Sequence, residues 1–455
     1  MNSHSRIRWK IMKSSRGLIK WTWRLLLTGA LLTSNFASAL NYYVAPDGRD
    51  FWSGQLAIPN TSGKDGPFAT LERARDEIRK LKRKNGLPEP VTVQVRAGTY
   101  FLNRTFKLTA EDSGTAGAPI VYRGYGAERP LLVGGKPVAG FTQYQDEILV
   151  ADMTTQGLKG ISFRQLFFDG RRQILARNPN HDPKNPSAGG WAYVDGKPQD
   201  TYRDQPGDSK RLLTYKVEDA RSFRRLAEGE ICIFPRYNWW NDIVRIVAND
   251  PAKHILTLAE DCSFAIRPGD RYYRQGFQED LDCPGEWYLD PAGRKLYFWP
   301  PEPLQGKVVI APTLRTIVEI ANGASRITLR GFDIRYCEGD AIILTETTNC
   351  LVAGCAICNV GDYHGSGVVI TGGSSNGVAG CDISEVGRSG VFLSGGDRPT
   401  LHPSGNYADN NYIHHVGVFY KQGVGIDLNG VGNLAAHNLI HDGPRWESFS
   451  AGTIW

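Results

Sequence analysis

Residues 381–394 read Cys-Asp-Ile-Ser-Glu-Val-Gly-Arg-Ser-Gly-Val-Phe-Leu-Ser, two short alternating runs joined by glycine. The pattern recurs along the last third of the chain, and aligning the copies on one isoleucine gives spacings of 23, 26, 30 and 27 residues. The aligned residues are Ile334, Ile357, Ile383, Ile413 and Ile440. A repeat of this length indicates structural units that stack on one another.

Other positions keep their residue type from one repeat to the next. The residues two before each isoleucine are Phe332, Cys355, Cys381, Asn411 and Asn438. A second strand follows at 341–345, 367–371, 390–394 and 425–429, with its second and fourth residues on one face and its third on the other. Units this short cannot bury an apolar face alone. The pattern predicts an all-β parallel β-helix, and the matching columns disfavour the alternative, a β-sandwich with coincidental spacing.

Two pairs in these columns allow finer predictions. Asn411 and Asn438 should form an asparagine ladder, in which each side-chain amide bonds to the next coil. Cys355 and Cys381 should lie side by side as packed thiols rather than form a disulfide. No spacing of Cys and His in the chain is typical of a zinc site.

The rest of the chain divides into a cap and an insertion. Leu71, Ala74, Ile78 and Leu81 recur at spacings of three and four residues, which predicts a helix. Residues 138–312 show longer alternating strands with many aromatic residues, which indicate an inserted all-β module. We therefore expect a cap and the first coils at 40–137, the module at 138–312, and further coils at 313–446.

The N-terminus has the pattern of a secretory signal peptide. Seven basic and no acidic residues accompany the apolar run 25–32 and the small-residue site Ala37-Ser38-Ala39. We expect cleavage after Ala39, with Met12 as an alternative start, and a secreted or periplasmic protein. Cleavage removes seven positive charges and lowers the formal charge from +6 to −1, so a nucleic-acid partner is not expected. The apolar run is also too short to span a membrane.

Several further motifs lie outside the repeats. They are Tyr42-Tyr43-Val44-Ala45-Pro46-Asp47-Gly48, Gly66-Pro67-Phe68-Ala69-Thr70-Leu71, Gly134-Gly135-Lys136-Pro137-Val138, Phe163-Arg164-Gln165-Leu166-Phe167, and Gly285-Glu286-Trp287-Tyr288-Leu289 with Leu296-Tyr297. Together with the repeats they resemble the secreted bacterial right-handed parallel β-helix proteins of the pectate-lyase-like superfamily. The interrupted layout is similar to glycoside hydrolase families with fucosidase, xylanase or xylosidase members. The resemblance implies that the helix near residue 70 caps the N-terminal end of the solenoid, and that the partner is a polysaccharide or an oligosaccharide.

The residues disfavour three better-defined activities on this fold. Polygalacturonases carry paired aspartates with a Gly-His-Gly motif, and this chain has only His364-Gly365. Pectate lyases need a calcium-binding carboxylate cluster with a positioned arginine, and no matching set is found. Pectin methylesterase motifs are also missing. We therefore expect no metal ion and no cofactor.

Asp427 is the first candidate for catalysis. Its column otherwise reads Ile343, Val369 and Phe392, so an acid at this outward position is out of pattern. Glycoside hydrolysis needs two carboxyl groups, ~5 to 5.5 Å apart for retention of configuration and ~6.5 to 9.5 Å apart for inversion. Coils of a β-helix are ~4.8 Å apart. Acids on adjacent coils therefore suit retention and acids on alternate coils suit inversion, and the sequence leaves both open.

A second column, two residues after each repeat isoleucine, contains further candidates. It reads Tyr336, Asn359, Glu385, His415 and Asp442. Asp442 is a candidate for the second catalytic acid, Glu385 is another, and His415 between them could tune an acid or bind a sugar hydroxyl. A hydrated turn face is the alternative interpretation of this column.

Substrate-binding candidates lie on a turn and in the module. Asp362 and His364 belong to the long turn 361–366, the kind of loop that walls a substrate groove. Trp240 could stack on a sugar ring, whereas its neighbours Tyr237 and Trp239 are assigned to the core of the module. Trp287 and Trp299 are assigned to packing.

Residues 447–455 depart from the repeat. After Trp446 the pattern predicts another glycine-aliphatic strand, but the sequence reads Glu-Ser-Phe-Ser-Ala-Gly-Thr-Ile-Trp. Restoring one base in the codons of Trp446 and Glu447 permits Trp-Gly-Ile-Phe-Phe-Ser-Gly-Asn-Asp-Leu, which fits the missing strand. Our hypothesis is a single-base deletion that truncates the protein, removes a partner carboxylate of Asp427 and leaves the product inactive.

The expected function is that of a monomeric, secreted carbohydrate-active protein. The resemblance implies a glycoside hydrolase acting on a plant or microbial glycan. A polysaccharide lyase or epimerase is the runner-up, and it would need a base and a charge-neutralising group such as His415 with an arginine or Ca²⁺. A non-catalytic glycan-binding or surface structural protein is the third hypothesis.

Overall fold

The computed structural model describes residues 39–444, except 159, 186–188, 198–204 and 238–239, together with the backbone of Gly452–Ile454. The predicted signal peptide, apart from its last residue, lies outside the described residues. So does Trp239. Most of the aberrant C-terminal segment 447–455 lies outside them as well.

Three parallel sheets run the length of the β-helix. Sheet A contains Leu40–Val44, Val91–Val95, Ile120–Gly124, Ile327–Arg330, Leu351–Ala353, Gly377–Ala379, Tyr407–Asp409 and Leu434–Ala436. Sheet B contains Thr99–Phe101, Leu131–Val133, Asp333–Cys337, Ala356–Val360, Asp382–Val386, Tyr412–Val416 and Leu439–His441. Sheet C contains Phe106–Leu108, Val318–Ile320, Ile342–Thr345, Val368–Thr371, Val391–Gly395, Ile426–Gly430 and Gly452–Ile454. The chain visits sheets A, B and C in that order in each of seven coils, which confirms the predicted parallel β-helix.

Residues predicted to share a column are paired with one another in the sheets. Ile334, Ile357, Ile383, Ile413 and Ile440 pair in succession along sheet B. The first four are completely buried in one apolar core that runs through the coils. In sheet C, Ile343 pairs with Val369, Val369 with Phe392, and Phe392 with Asp427. One-to-one pairing of like residues lets each coil contribute the core of the next.

The polar ladders also form. Asn411 Nδ2 donates to Asn438 Oδ1 at 2.9 Å, and the Asn411 carbonyl oxygen of the side chain accepts from the backbone N–H of Cys381 at 2.9 Å. A second ladder, not predicted from the sequence, joins Asn376 Nδ2 to Asn406 Oδ1 at 3.1 Å. All eight cysteines are free thiols, so the stacked pair of Cys355 and Cys381 is confirmed as unbridged.

The predicted helix is Leu71–Asn85. Thr70 caps it, since its hydroxyl accepts the backbone N–H of Arg73 at 3.1 Å, and Gly86 ends it with a left-handed φ of 69°. Leu71, Ala74 and Ile78 are buried in the same apolar core as the coils, so the helix covers the first coil. Exposed solenoid ends need such a cover.

The module enters and leaves the β-helix through one pair of strands. Gly135–Val138 pairs antiparallel with Val309–Pro312, and Phe167–Phe168 and Arg171–Arg172 extend this sheet. This stalk lies between the sheet B strand Leu131–Val133 and the sheet C strand Val318–Ile320 of the second coil. The module therefore replaces one turn between sheets B and C, and we call the edge formed by all such turns the B–C corner.

Two further sheets form the body of the module. One contains Thr142–Gln145, Ile148–Asp152, Ile174–Leu175, Glu286–Asp290 and Lys295–Phe298. The other contains Arg177–Asn178, Ala192–Tyr193, Leu212–Thr214, Glu230–Ile233, Asp242–Asp250, Ile255–Leu258 and Arg271–Gln275. Short 3-10 helices occur at Ala110–Asp112 in the cap region and at Val217–Asp219, Leu226–Glu228 and Gln278–Asp280 in the module. Trp287 is buried against Phe163, which confirms its assignment to packing.

Candidate functional site

The outer face of sheet C carries two parallel columns of side chains. The column next to the B–C corner contains the apolar run Ile343, Val369 and Phe392, which Glu319 precedes and Asp427 and Thr453 follow. The column next to the turns that lead to sheet A consists of Thr345, Thr371, Ser394 and Asn429. The side chains from Ile343 to Asp427 in the first column, and all those of the second, are half-buried or exposed. An apolar track beside a row of hydroxyl and amide groups can receive one face of a ring while bonding its substituents.

Asp427 lies on the sixth coil, directly after the last apolar residue of this column, Phe392. Its side chain is half-buried, and burial raises the pKa of its carboxyl above the ordinary value, while the charge of Arg388 on the preceding coil acts to lower that pKa. Desolvation is the larger effect because it penalises the ionised form. A carboxyl that holds its proton to higher pH is suited to donate it.

The B–C corner forms one wall beside this face. Trp240 of the module meets Tyr420 edge-on at 5.7 Å, and Tyr420 meets Tyr363 edge-on at 5.1 Å. His364 follows at 5.0 Å from Tyr363 and is exposed. The structure thus brings together Trp240 and His364, two predicted substrate-binding residues from distant parts of the sequence, in one aromatic wall.

Arg388 connects this wall to the acid. Its guanidinium carbon lies 4.9 Å from the centre of the Tyr420 ring, and its charge also acts on Asp427 and on Asp340. Stacking on an aromatic face fixes the orientation of a guanidinium. Arg388 is therefore positioned between the aromatic wall and the sheet C carboxyl.

Carboxyl groups cluster deeper in the B–C corner. Asp362 is buried, its carboxylate accepts the backbone N–H of His364 at 3.0 Å, and Arg315 Nη1 lies 3.8 Å from its Oδ2. Glu338, on the coil before, accepts the backbone N–H of Arg164 at 3.1 Å. Burial raises the pKa of Glu338 to about 7, and the nearby Asp362 charge adds to the effect. Asp340 has a raised pKa for the same main reason, burial.

The column of Glu385, His415 and Asp442 lies at the end of sheet B, where the chain turns into the corner. All five of its residues have left-handed backbone, with φ of 65° at Tyr336, 57° at Asn359, 52° at Glu385, 51° at His415 and 49° at Asp442. The register skips this position, because Arg335 pairs with Cys358 and Cys337 with Val360. The column is therefore a bend that recurs from coil to coil rather than a flat strand position.

The side chains of this column have separate surroundings. His415 Nε2 lies 3.8 Å from Asp442 Oδ2, and the same oxygen bonds His441 Nδ1 at 2.7 Å. The His441 bond lowers the pKa of Asp442 below its ordinary value, opposite to the shift at Asp427. The Glu385 backbone oxygen accepts from Arg172 Nη2 of the module at 2.6 Å.

A loop of the fifth coil forms the opposite wall of the sheet C face. Residues 396–403 leave the end of sheet C and fold back on themselves through the antiparallel bridge between Asp397 and His402. Arg398 Nη2 donates to Asn429 Oδ1 at 2.6 Å, which ties the loop to the polar column beside Asp427. The face around Asp427 is therefore bordered on both sides.

Asn241, Arg388, Phe392 and Tyr420 belong to this site and were not among the predicted site residues. Asn241 is completely buried and contacts both long turns of the corner. Its Nδ2 donates to the Phe419 oxygen at 3.0 Å, its Oδ1 accepts from Lys421 N at 2.8 Å, and its backbone oxygen accepts from Tyr363 Oη at 2.6 Å. The length of the turn between Val416 and Ile426 was the one sequence feature that could have indicated them.

Residues 315–445 match the family model described as a right handed beta helix region. The protein is a right-handed parallel β-helix. This right-handed β-helix is similar to a solved glycoside hydrolase, with 19% identity, a TM-score of 0.71, and 89% of this chain and 78% of that chain covered. That likeness establishes a common fold.

Two further solved structures are more distant. The complex of XylC with xylose is 12% identical, with a TM-score of 0.34 and with 88% of this chain and 62% of that chain covered. The pectate lyase Pel9A is 10% identical, with a TM-score of 0.35 and coverages of 89% and 62%. No curated protein sequence matches the right-handed β-helix.

Two features are absent from the described residues. Within them, no three His, Cys, Asp or Glu side chains are arranged to hold a metal ion. No helix in the described part of the chain has the length and hydropathy needed to span a bilayer.

Proposed function

We propose that the protein is a glycoside hydrolase that binds a glycan along the outer face of sheet C and cleaves it at Asp427. The observation that carries the proposal is the position of Asp427, a half-buried carboxyl with a raised pKa at the end of an apolar track. Phe392, directly beside it on the preceding coil, offers a ring for sugar stacking. The neighbouring column of Thr371, Ser394 and Asn429 supplies partners for sugar hydroxyls.

Asp427 acts in this proposal as the general acid. Protonation of the leaving oxygen requires a carboxyl that keeps its proton to higher pH than an exposed aspartate does, and burial shifts the pKa of Asp427 in that direction. The reaction breaks the bond between the anomeric carbon and the leaving oxygen, the oxygen takes the proton of Asp427, and water supplies the new hydroxyl. The likeness to a solved glycoside hydrolase supports the scaffold.

Asp362 and Asp442 are the two candidates for the second catalytic carboxyl group, and each predicts a different stereochemical outcome. Asp362 lies in the corner turn of the fourth coil, two coils from Asp427, and their axial separation of ~9.6 Å is at the upper limit of the range for inversion and beyond that for retention. Asp442 lies on the coil next to Asp427, and an axial separation of ~4.8 Å favours retention. We propose Asp362, because it lies in the turn whose Tyr363 and His364 belong to the aromatic wall on Arg388.

The test is digestion of a glycan panel by the wild type and by three variants. New reducing ends should appear with the wild type, and should fall at least about a hundredfold in Asp427→Asn and in Asp362→Asn. Asp382→Asn, an exposed aspartate of the sheet B face, is the matched control and should keep its activity. NMR of the first-formed anomer should show inversion.

Other outcomes separate the alternatives. If the configuration is retained and Asp442→Asn loses activity, the second catalytic carboxyl group is Asp442 rather than Asp362. Absorbance from unsaturated uronate products would identify a lyase. Saturable glycan binding without any product would identify a binding protein. We also propose that residues 1–39 direct export, and N-terminal sequencing of the mature protein should then begin at Leu40.

A further inference from the structure

The inserted module contains a cavity of about 530 Å³ that the proposed hydrolase site does not use. It opens between the hairpin of Thr142–Gln145 and Ile148–Asp152 and the segment that starts at the 3-10 helix Gln278–Asp280. Its size falls in the range of small-molecule sites. We propose that this cavity binds a saccharide that carries a free amine.

The floor of the cavity is apolar and fixed. Ile148, Leu281 and Trp299 line it and pack into the same apolar cluster as Tyr297. Leu281 is buried, while Ile148 and Trp299 keep part of their surface open. A floor anchored in the core presents its indole ring without further ordering, which favours the stacking of a pyranose ring.

Tyr144 forms a second aromatic surface at the cavity. Its side chain is exposed, with 48% of its surface open, yet its ring meets Tyr297 edge-on at 4.8 Å. Gln278 Nε2 also donates to its hydroxyl oxygen at 3.5 Å. An exposed tyrosine that is held by two contacts is preorganised for a ligand.

The rim of the cavity is acidic. Asp146, Glu147, Glu279 and Asp282 line it with Arg224 as the one cationic residue among the lining residues. The backbone N–H of Arg224 donates to Glu279 Oε1 at 3.2 Å, and Arg224 Nε lies 3.9 Å from the same oxygen. Three carboxylates therefore lack a cationic partner within the lining.

The chemistry of the rim selects the ligand. Ionised carboxylates only accept hydrogen bonds, so the ligand must present donors. Hydroxyl groups and an ammonium group are donors, and a cation is further favoured near tyrosine and tryptophan rings. A uronate would bring a like charge to the rim and is disfavoured. An amino sugar combines a stacking face, hydroxyl donors and a cation.

Isothermal titration calorimetry of the full chain tests the proposal with four probes. These are a glucosamine tetramer, its N-acetylated counterpart, a galacturonate tetramer and tetralysine. The glucosamine tetramer should bind, at least about tenfold more tightly than the N-acetylated one. The galacturonate tetramer should not bind.

Variants locate the site. Tyr144→Ala, and separately Asp146→Asn with Glu147→Gln, should each weaken binding at least about tenfold. Tyr193→Ala removes a tyrosine of the same module that is 40% exposed and lies outside the cavity lining, and it should leave binding unchanged. Asp427→Asn should also leave binding unchanged, which separates this site from the hydrolase proposal.

Three results would overturn the inference. Absence of glucosamine tetramer binding to the wild type would remove the site. Equal binding by Tyr144→Ala would move it away from this cavity. Tetralysine binding as tightly as the amino sugar would show attraction of cations in general rather than recognition of a saccharide.

Discussion

The side-chain amide of Asn241, in the module, donates to the carbonyl oxygen of Phe419 in the sixth coil at 3.0 Å. The oxygen of the same side-chain amide accepts the backbone N–H of Lys421. One buried residue therefore bonds two backbone groups of a single turn, at positions 178 and 180 residues later in the chain. We predict that Asn241→Ala lowers the free energy of unfolding by ~1 to 3 kcal/mol, because it removes the partners of two partly buried backbone groups. Urea denaturation measures this. Asn103→Ala, at an exposed asparagine, should change it little.

Arg388 should set the alkaline limit of the hydrolase. Its charge acts to lower the pKa of Asp427, so Arg388→Gln raises that pKa further. A general acid is active only while protonated, so the alkaline limb of kcat should move to higher pH. The pH dependence of kcat on a cleaved glycan checks the sign, with Arg330→Gln on sheet A as the control. A limb that moves to lower pH would contradict the role of Asp427 as the acid.

Glu338 should make stability depend on pH. Burial raises its pKa from 4.5 to about 7 in the folded protein. The free energy of unfolding therefore includes the full contribution of Glu338 below about pH 4.5. Between pH 4.5 and about 7 this contribution falls by ~1.4 kcal/mol per pH unit, and above about 7 it is lost. Glu338→Gln removes the ionisable group, so its advantage over the wild type should grow across this window and then level off. Denaturation of both proteins at pH 5 and pH 8 measures it, and an advantage that is equal at the two pH values would contradict the prediction.

The asparagine ladder should contribute to stability at one specific residue. Asn411→Ala removes bonds to Cys381, to the Val378 oxygen and to Asn438, and should cost ~1 to 3 kcal/mol. Asn410 is the adjacent asparagine, exposed and left-handed with φ of 55°. Asn410→Gly keeps that conformation available and should be nearly neutral. Equal losses in both variants would show that the ladder has no special role.

The bend at His415 separates a structural role from a chemical one. His415→Val places a β-branched residue at φ of 51° and should destabilise the protein by ~1 to 2 kcal/mol. His415→Asn suits the left-handed conformation and should keep stability. If hydrolysis by His415→Asn matches the wild type, the imidazole has no part in the reaction. Chemical denaturation and the reducing-end assay provide the two measurements.

The repeat could be predicted from the sequence because it is a local regularity. The pairing of Ile334 with Ile357 follows from a fixed spacing and needs no knowledge of distant segments. The outward position of Asp427 follows from alternation along a strand in the same way. Its half-burial and its neighbour Arg388 depend on how adjacent turns fold over the sheet, which spacing does not describe.

The missed residues depend on contacts between distant parts of the chain. Asn241 has an ordinary sequence context, and its role appears only when the module lies against the turn containing Phe419. The alignment of Glu385, His415 and Asp442 was correct, but their shared left-handed backbone was not predicted. The presence of Asn359 and Asp442 in that column was an available indication, since asparagine and aspartate are enriched in this conformation.

The antiparallel stalk has a consequence for how such a protein can change. Because Gly135–Val138 and Val309–Pro312 lie side by side, a segment of about 170 residues begins and ends within one strand spacing. At its point of attachment to the β-helix the module therefore has the geometry of an ordinary hairpin, whatever sequence lies between the two strands. An ancestral gene could therefore gain, lose or exchange such a module without changing the register of any coil. Ligand recognition by the module could change while the β-helix stayed the same.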